Sequence, residues 1–169
     1  MTAGGEISFQ EYFVRERWSP AVKRVFFAGI DRSKPAPGVL QAISNAAGIV
    51  ICPSNPVTSI APILAVPEIR HALREARARI VGVSPIIAGA AISGPAHTLM
   101  SAHDLEPSVR GVAKGYADLL DVLMIDREDQ YLEDGIEKLG VKPVSANIRM
   151  NSLADKELLA RQVLALLQK

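Results

Sequence analysis

The runs IVIC at residues 49–52 and IVGV at residues 80–83 decide the fold of this 169-residue chain. Both runs are continuous and rich in β-branched side chains, without alternation between apolar and polar positions. Strands with this composition are usually buried on both faces, as in a parallel sheet covered by helices. We therefore expect both runs to be strands of such a sheet.

Strand and helix patterns alternate along the rest of the chain. Three more runs predict strands, at residues 24–28, 122–125 and 144–148. Helical patterns lie at residues 37–47, 59–76, 109–120 and 129–139, with a last helix near the carboxyl end. The order predicts an α/β fold, a layered and mostly parallel sheet with helices on both faces, Rossmann-like and with right-handed crossovers.

Local signals place several helix boundaries. Pro62 and Pro67 predict two shorter helices, or a kinked one, within residues 59–76. Ser152 and Asp155 have the spacing of a capping box, which starts the last helix.

The amino-terminal residues stand apart from this alternation. Residues 1–22 are expected to form an edge segment, in which the apolar and aromatic stretch 7–14 predicts an edge strand or hairpin. Residues 23–169 are expected to form a single α/β domain.

Composition narrows the function classes. The net charge of +1 gives no reason to expect a nucleic-acid partner, and aromatic residues, at 5%, are too scarce to suggest a base-stacking platform. The single cysteine, Cys52, excludes an intrachain disulfide and a multi-cysteine metal site. We find no apolar stretch long enough for a membrane span and no signal-peptide pattern, so we expect a cytoplasmic protein without a membrane partner.

Two loops that follow predicted strands carry the candidate site, since ligands of open α/β sheets bind beyond the carboxyl ends of the strands. The first loop, CPSNPVTS at residues 52–59, offers hydroxyl and amide side chains and backbone N–H groups at a helix start, which suit a phosphate. A proline-stiffened turn, with Ser54, Asn55 or Thr58 capping the helix, is the alternative. The phosphate-binding candidates are Pro53, Ser54, Asn55, Thr58 and Ser59.

The second loop spans residues 83–96 and is rich in small residues, which let backbone approach a ligand closely. Ser84, Pro85 and Ile86 are its candidate ligand-binding residues, with an ordinary surface loop as the alternative. Because the two loops belong to consecutive βα units, both are expected to open at one edge of the sheet.

Other polar groups are weaker candidates. Cys52 could be a nucleophile, but a buried packing thiol is the favoured interpretation at a strand end. The three histidines do not have a metal-ligand spacing, and no metal ligand is assigned. An acidic cluster could hold a divalent cation, although solvated helix ends are the favoured interpretation. Its members are Asp118, Asp121, Asp126, Glu128 and Asp129.

Four segments, in the right order and over almost the whole chain, resemble the 2-phospho-L-lactate transferase family. They are residues 9–14, residues 52–64 with their Ser-Asn-Pro motif, residues 83–87 followed by 93–96, and residues 111–121. The resemblance is to the carboxyl-terminal half of that family, so the fold is expected to be incomplete relative to it. Cys52 stands where the family usually has glycine, and Asn147 where it usually has aspartate.

The resemblance implies transfer of a phospholactyl, or phosphoenolpyruvyl-type, group from a GDP-activated donor to the deazaflavin Fo, with release of GMP and help from magnesium. It also implies that the two loops face the guanine nucleotide. As a half of such a fold, the chain is expected to associate with itself or with a missing amino-terminal half. The alternatives are a non-catalytic nucleotide or nucleotide-sugar binding regulatory module, and an interaction domain that completes another subunit.

Overall fold

The computed structural model describes residues 1–2, 4–91 and 95–168. Its main sheet has four parallel strands in the spatial order β1, β2, β5, β6, and a small antiparallel hairpin, β3 and β4, follows β2. The strands are β1 (Gly48–Ile51), β2 (Arg79–Val83), β3 (Ile86–Ile87), β4 (Ala90–Ala91), β5 (Val122–Asp126) and β6 (Lys142–Ala146). The α/β prediction, with a parallel sheet at its centre, is therefore confirmed.

Seven α-helices occur in the described residues, together with four short turns of other helical types. The α-helices are α1 (Val39–Ser44), α2 (Ala61–Leu64), α3 (Pro67–Arg74), α4 (Ala96–Ser101), α5 (Val109–Tyr116), α6 (Glu133–Glu137) and α7 (Leu153–Leu167). The short turns are two π-helical turns, Glu11–Arg15 and Pro56–Ile60, and two 3₁₀ turns, Ile30–Arg32 and Arg127–Leu132. None of the helices in these ranges is both long and apolar enough to cross a membrane.

The sheet is covered on both faces, as its continuous apolar strands require. All five residues of β5 are buried, and alternate side chains point into two separate cores. Leu123 and Ile125 face the larger core with α5, whereas Val122 and Met124 face a smaller core that α7 covers. Burial on both faces therefore explains why β2 and β5 lack apolar–polar alternation.

The local helix signals are confirmed. The predicted helix at residues 59–76 is divided into α2 and α3, with Pro67 as the first residue of α3. The Ser152 hydroxyl accepts a hydrogen bond from the Asp155 N–H, and the Asp155 carboxylate accepts one from the Ser152 N–H. This reciprocal pair forms the predicted capping box.

Two predictions for the amino-terminal part are wrong. Residues 24–28 form no strand, and none of the described strands pairs with them. The stretch 7–14 is largely helical rather than extended, because Phe9 contacts Phe13 and Glu11 pairs with Arg15, each one helical turn apart. The division of the chain at residue 22 stays a prediction.

Candidate functional site

The loops after β1 and β2 meet at one cleft. The two strands are parallel neighbours, with Ile51 opposite Gly82, so their carboxyl ends lie at the same edge of the sheet. The cleft beyond them has a volume of about 820 Å³. Both loops contribute to its lining, through Pro53, Ser54, Asn55, Thr58, Ser59 and Pro85. The expected juxtaposition is present.

Asn55 organises the first loop. Its side-chain oxygen accepts hydrogen bonds from the N–H groups of Val57 (2.9 Å) and Thr58 (3.1 Å). Its backbone carbonyl accepts from the next two N–H groups, those of Ser59 (3.0 Å) and Ile60 (3.2 Å). Asn55 is therefore the helix cap that the alternative interpretation required, and these four N–H groups are already used inside the protein.

The polar groups left for a ligand at this loop are side chains. Because the Asn55 amide oxygen faces the helix, the amide nitrogen, with two donors, is left for the cleft that Asn55 lines. The hydroxyl-bearing side chains of Ser54, Thr58 and Ser59 line the same cleft. These groups can donate hydrogen bonds to phosphate oxygens without any charged side chain.

In the part of the second loop that the structure describes, the candidate residues supply shape rather than ligand-directed polar groups. Ser84 is fully buried; its hydroxyl donates to the Ile86 carbonyl (3.0 Å) and accepts from the Ile86 N–H (3.0 Å). Ile86 is buried as well, so of these three candidates Pro85 alone lines the cleft. Ser93 and Gly94, which belong to a segment that resembles the family, lie outside the described residues.

The acidic cluster is mostly structural. Asp118 accepts hydrogen bonds from Arg70 and Arg74, and Asp121 accepts from the Ile80 N–H (2.7 Å). Within the described ranges, no three His, Cys, Asp or Glu side chains lie close enough to hold a metal ion. The magnesium that the family resemblance implies stays an expectation of that resemblance.

The interpretation as solvated helix ends is wrong for Asp126 and Asp129, which are buried. Asp126 accepts hydrogen bonds from the N–H groups of Glu128 (3.1 Å) and Ile148 (3.3 Å). Asp129 accepts one from Ala88 (2.9 Å), in the turn of the β3–β4 hairpin. Burial raises the pKa of Asp129, although backbone hydrogen bonds from the hairpin turn oppose the shift.

Cys52 is exposed, so the expectation of a buried thiol is wrong. It follows the last residue of β1 and belongs to the loop rather than to the core.

Sequence reasoning missed the aromatic part of the cleft lining, which Phe9, Phe13 and Trp18 form. A signal was present, because six of the eight aromatic residues lie within the first 27 positions. A second, smaller cavity of about 620 Å³ shares Phe9, Thr58 and Leu99 with the cleft and is otherwise lined mainly by the amino-terminal residues.

Comparisons with known proteins bear on this geometry. The family model described as 2-phospho-L-lactate transferase CofD matches residues 1–164. A 2-phospho-L-lactate transferase of Methanothermobacter thermautotrophicus is 42% identical over 164 residues, which are 97% of this chain and 52% of that protein. One from Methanosarcina barkeri is 39% identical over 95% of this chain and 51% of its own length.

A phosphoenolpyruvate transferase of Kitasatospora aureofaciens is also 39% identical, over 96% of this chain and 51% of its own length. The chain thus spans about half the length of the curated relatives it matches. Among solved structures, protein BH3568 of Bacillus halodurans superposes with a TM-score of 0.62 at 22% identity, over 96% of this chain and 57% of that one. This last likeness concerns the fold alone.

Proposed function

Because the chain belongs to the 2-phospho-L-lactate transferase CofD family, we propose that it is the donor-binding part of a 2-phospho-L-lactate transferase-like protein. The proposed donor is GDP-linked and carries a phospholactyl or phosphoenolpyruvyl-type group, and the proposed acceptor is the deazaflavin Fo. An acceptor hydroxyl oxygen bonds to the distal phosphorus and loses its proton. The bond between that phosphorus and the bridging oxygen breaks, and GMP leaves.

One observation carries the proposal: the loops after two adjacent parallel strands open onto a single cleft. In such sheets this edge is where ligands bind. The cleft volume of about 820 Å³ is in the range of small-molecule sites. The transferred group is proposed from the names of the relatives, a 2-phospho-L-lactate transferase and a phosphoenolpyruvate transferase.

The role of the first loop is to position the diphosphate. The Asn55 side chain is fixed by two N–H donors before any ligand binds, so its amide nitrogen is preorganised. The hydroxyls of Ser54, Thr58 and Ser59 add further donors, and bonds to charged phosphate oxygens are stronger than neutral ones. In phosphoryl-type transfer, positioning and electrostatic stabilisation account for most of the catalysis.

A second candidate is a binding module that needs another polypeptide. Within the described sheet β1 has a neighbour on one side only, and Val50 on it is 38% exposed. An open strand edge is a ready template for pairing. This favours association with a second copy or with an amino-terminal half, and a nucleotide or nucleotide-sugar binding role without chemistry is compatible with it.

Calorimetric titration with GDP and with a UDP-sugar separates these candidates. We expect GDP to bind selectively. We expect Asn55→Asp to weaken GDP binding at least about tenfold, because it brings a negative charge to the diphosphate. Aspartate caps helices as well as asparagine does, so the free energy of unfolding should be nearly unchanged.

Asn45→Asp is the matched control, since Asn45 is an exposed residue at the end of α1 and makes the same change of charge outside the cleft. Equal GDP affinity of Asn55→Asp and the unsubstituted chain would remove the first loop from the site. A preference for UDP-sugar would favour the regulatory module instead.

A further inference from the structure

We propose that Phe9, Phe13 and Trp18 form a stacking wall for the planar heteroaromatic ring of a ligand whose polar end lies at the Asn55 loop. The inference rests on the proposed function, because it assigns the ring of the proposed ligand to the aromatic side chains of the same cleft. The ring would be the guanine of a donor nucleotide or the tricyclic ring of a deazaflavin acceptor. Both have the same stacking chemistry.

The three rings form a continuous aromatic surface. The centroids of Phe9 and Phe13 are 5.5 Å apart, and those of Phe13 and Trp18 are 5.1 Å apart. Phe9 is nevertheless 44% exposed and Trp18 47% exposed. Large aromatic side chains that stay exposed together along a cleft are characteristic of a binding surface rather than of a core.

The backbone around Trp18 is strained in a way that places this ring. Arg17 and Trp18 have φ angles of 46° and 50°, a left-handed conformation that bulky residues rarely adopt. The Trp18 N–H donates to the Tyr12 carbonyl (2.9 Å), and the buried Tyr12 hydroxyl donates to the Trp18 carbonyl (3.3 Å). Strain that the surroundings hold in place is concentrated at functional sites.

The electrostatics of the cleft favour stacking over ion pairing as a source of affinity. Among the described residues that line it, none carries a charged side chain. Ion pairs with phosphate therefore cannot supply the affinity at this surface. Hydrogen bonds from the Asn55 loop would hold a polar group, and stacking on the aromatic wall would add binding free energy that needs no charged side chain.

Trp18 is the only tryptophan of the chain, so its fluorescence reports directly on the wall. The probes are GDP, riboflavin as a tricyclic ring with a ribityl chain, and pyrophosphate as a ligand without a ring. We expect saturable quenching by GDP or by riboflavin, after correction with a free tryptophan derivative, and none by pyrophosphate. The probe that quenches identifies the ring.

Substitution separates stacking from general effects. Phe13→Leu should weaken binding of the quenching probe about tenfold, in the range measured for loss of one aromatic stacking partner. Phe26→Leu is the matched control, because Phe26 is 42% exposed and lines the smaller cavity, not the cleft. Tyr12→Phe removes one bond that holds Trp18 and should shift its emission while far-ultraviolet circular dichroism stays unchanged.

Three results would overturn the stacking wall. The first is quenching by neither ring probe, and the second is an equal effect of Phe13→Leu and Phe26→Leu. The third is a Trp18 emission that changes with protein concentration and not with ligand, since this would assign the wall to contact between copies. GDP binding that is lost in Asn55→Asp, together with quenching of Trp18 by neither ring probe, would overturn the wall and leave the proposed function standing. Quenching by riboflavin without any binding of GDP would leave the stacking wall standing and overturn the proposed function.

Discussion

Replacing Gly111 by alanine should destabilise the protein strongly, against the usual effect of this substitution in a helix. Gly111 is the third residue of α5, where its N–H donates to the Ser108 hydroxyl (3.1 Å). A Cβ atom at this position would stand 1.7 Å from the Glu106 carbonyl oxygen and 2.7 Å from its carbon. Alanine normally favours a helix by about 1 kcal/mol over glycine, so the steric contact decides the sign.

The magnitude follows from what must move. To reach even 3.0 Å from the new Cβ, the Glu106 carbonyl has to shift by about 1.3 Å. That shift breaks the bond from the Ser108 N–H to the Glu106 carbonyl (2.8 Å) and displaces Ser108 as the cap of α5. Loss of a cap, loss of a backbone hydrogen bond and overpacking of a buried site together cost about 3–5 kcal/mol.

Urea unfolding followed by circular dichroism measures this cost, with Gly115→Ala in the same helix as the control. A Cβ on Gly115 would lie 3.5 Å from a Leu105 methyl group, which is an ordinary contact. This variant should be as stable as the unsubstituted chain or gain up to about 1 kcal/mol. A Gly111→Ala protein within 1 kcal/mol of the unsubstituted chain would refute the reasoning, as would equal losses in the two variants.

Three further predictions concern charge. Burial raises the pKa of Asp129, so its contribution to stability is present at acidic pH and is lost as pH rises through the raised value. Asp129→Asn should therefore flatten the dependence of Tm on pH above about pH 4, the ordinary pKa of aspartate. For Asp118 burial acts in the same direction, but Arg70 and Arg74 outweigh it and hold its pKa below the ordinary value, so its contribution is lost as pH falls. Because the ion pairs of Asp118 with Arg70 and Arg74 are partly exposed, Asp118→Asn should lower the free energy of unfolding in urea by only about 0.5–1 kcal/mol at neutral pH, and by less in 1 M salt. A larger loss would contradict the assignment of these ion pairs as weak surface contacts. Since no charged side chain lines the described cleft, the Kd for GDP should change less than about threefold between 50 and 500 mM salt, measured by calorimetry; a steep loss would indicate cationic ligands.

The inner strands β2 and β5 could be predicted from the sequence because burial on both faces leaves a composition that does not depend on the neighbours. Both lie within one residue of the predicted runs. The edge strand β1 also lies within one residue of its run, but the expected burial on both faces is wrong for it, since three of its residues are half-buried and Val50 is exposed. The prediction for β6 was displaced by two residues, since the apolar pattern continues to Ile148. Ile148 is buried in the smaller core and gives its N–H to Asp126, so its apolar character reflects packing beyond the end of the strand.

Residues 24–28 show the limit of such patterns. Val25 packs against the larger core and Phe26 is exposed. Such an alternation also occurs in extended segments that pair with no strand. At the site, the order of the two loops along the chain was enough to predict that they share an edge. The direction of the Ser84 hydroxyl, which bonds within its own turn, and the approach of the aromatic wall depend on tertiary packing that no local pattern contains.

The uncharged lining also bears on how a donor site of this kind would work. A diphosphate carries negative charge, and the polar side chains that line the described cleft, those of the Asn55 loop and of Gln10, offer only uncharged amide and hydroxyl donors. Donors of this kind orient an anion but do not neutralise it, so charge compensation has to come from groups outside these residues. About half the length of the relatives lies outside their match to this chain. We therefore expect these residues to fix where the donor binds, and transfer to Fo to require a separately supplied amino-terminal half; turnover by the 169-residue chain alone would contradict this division of roles.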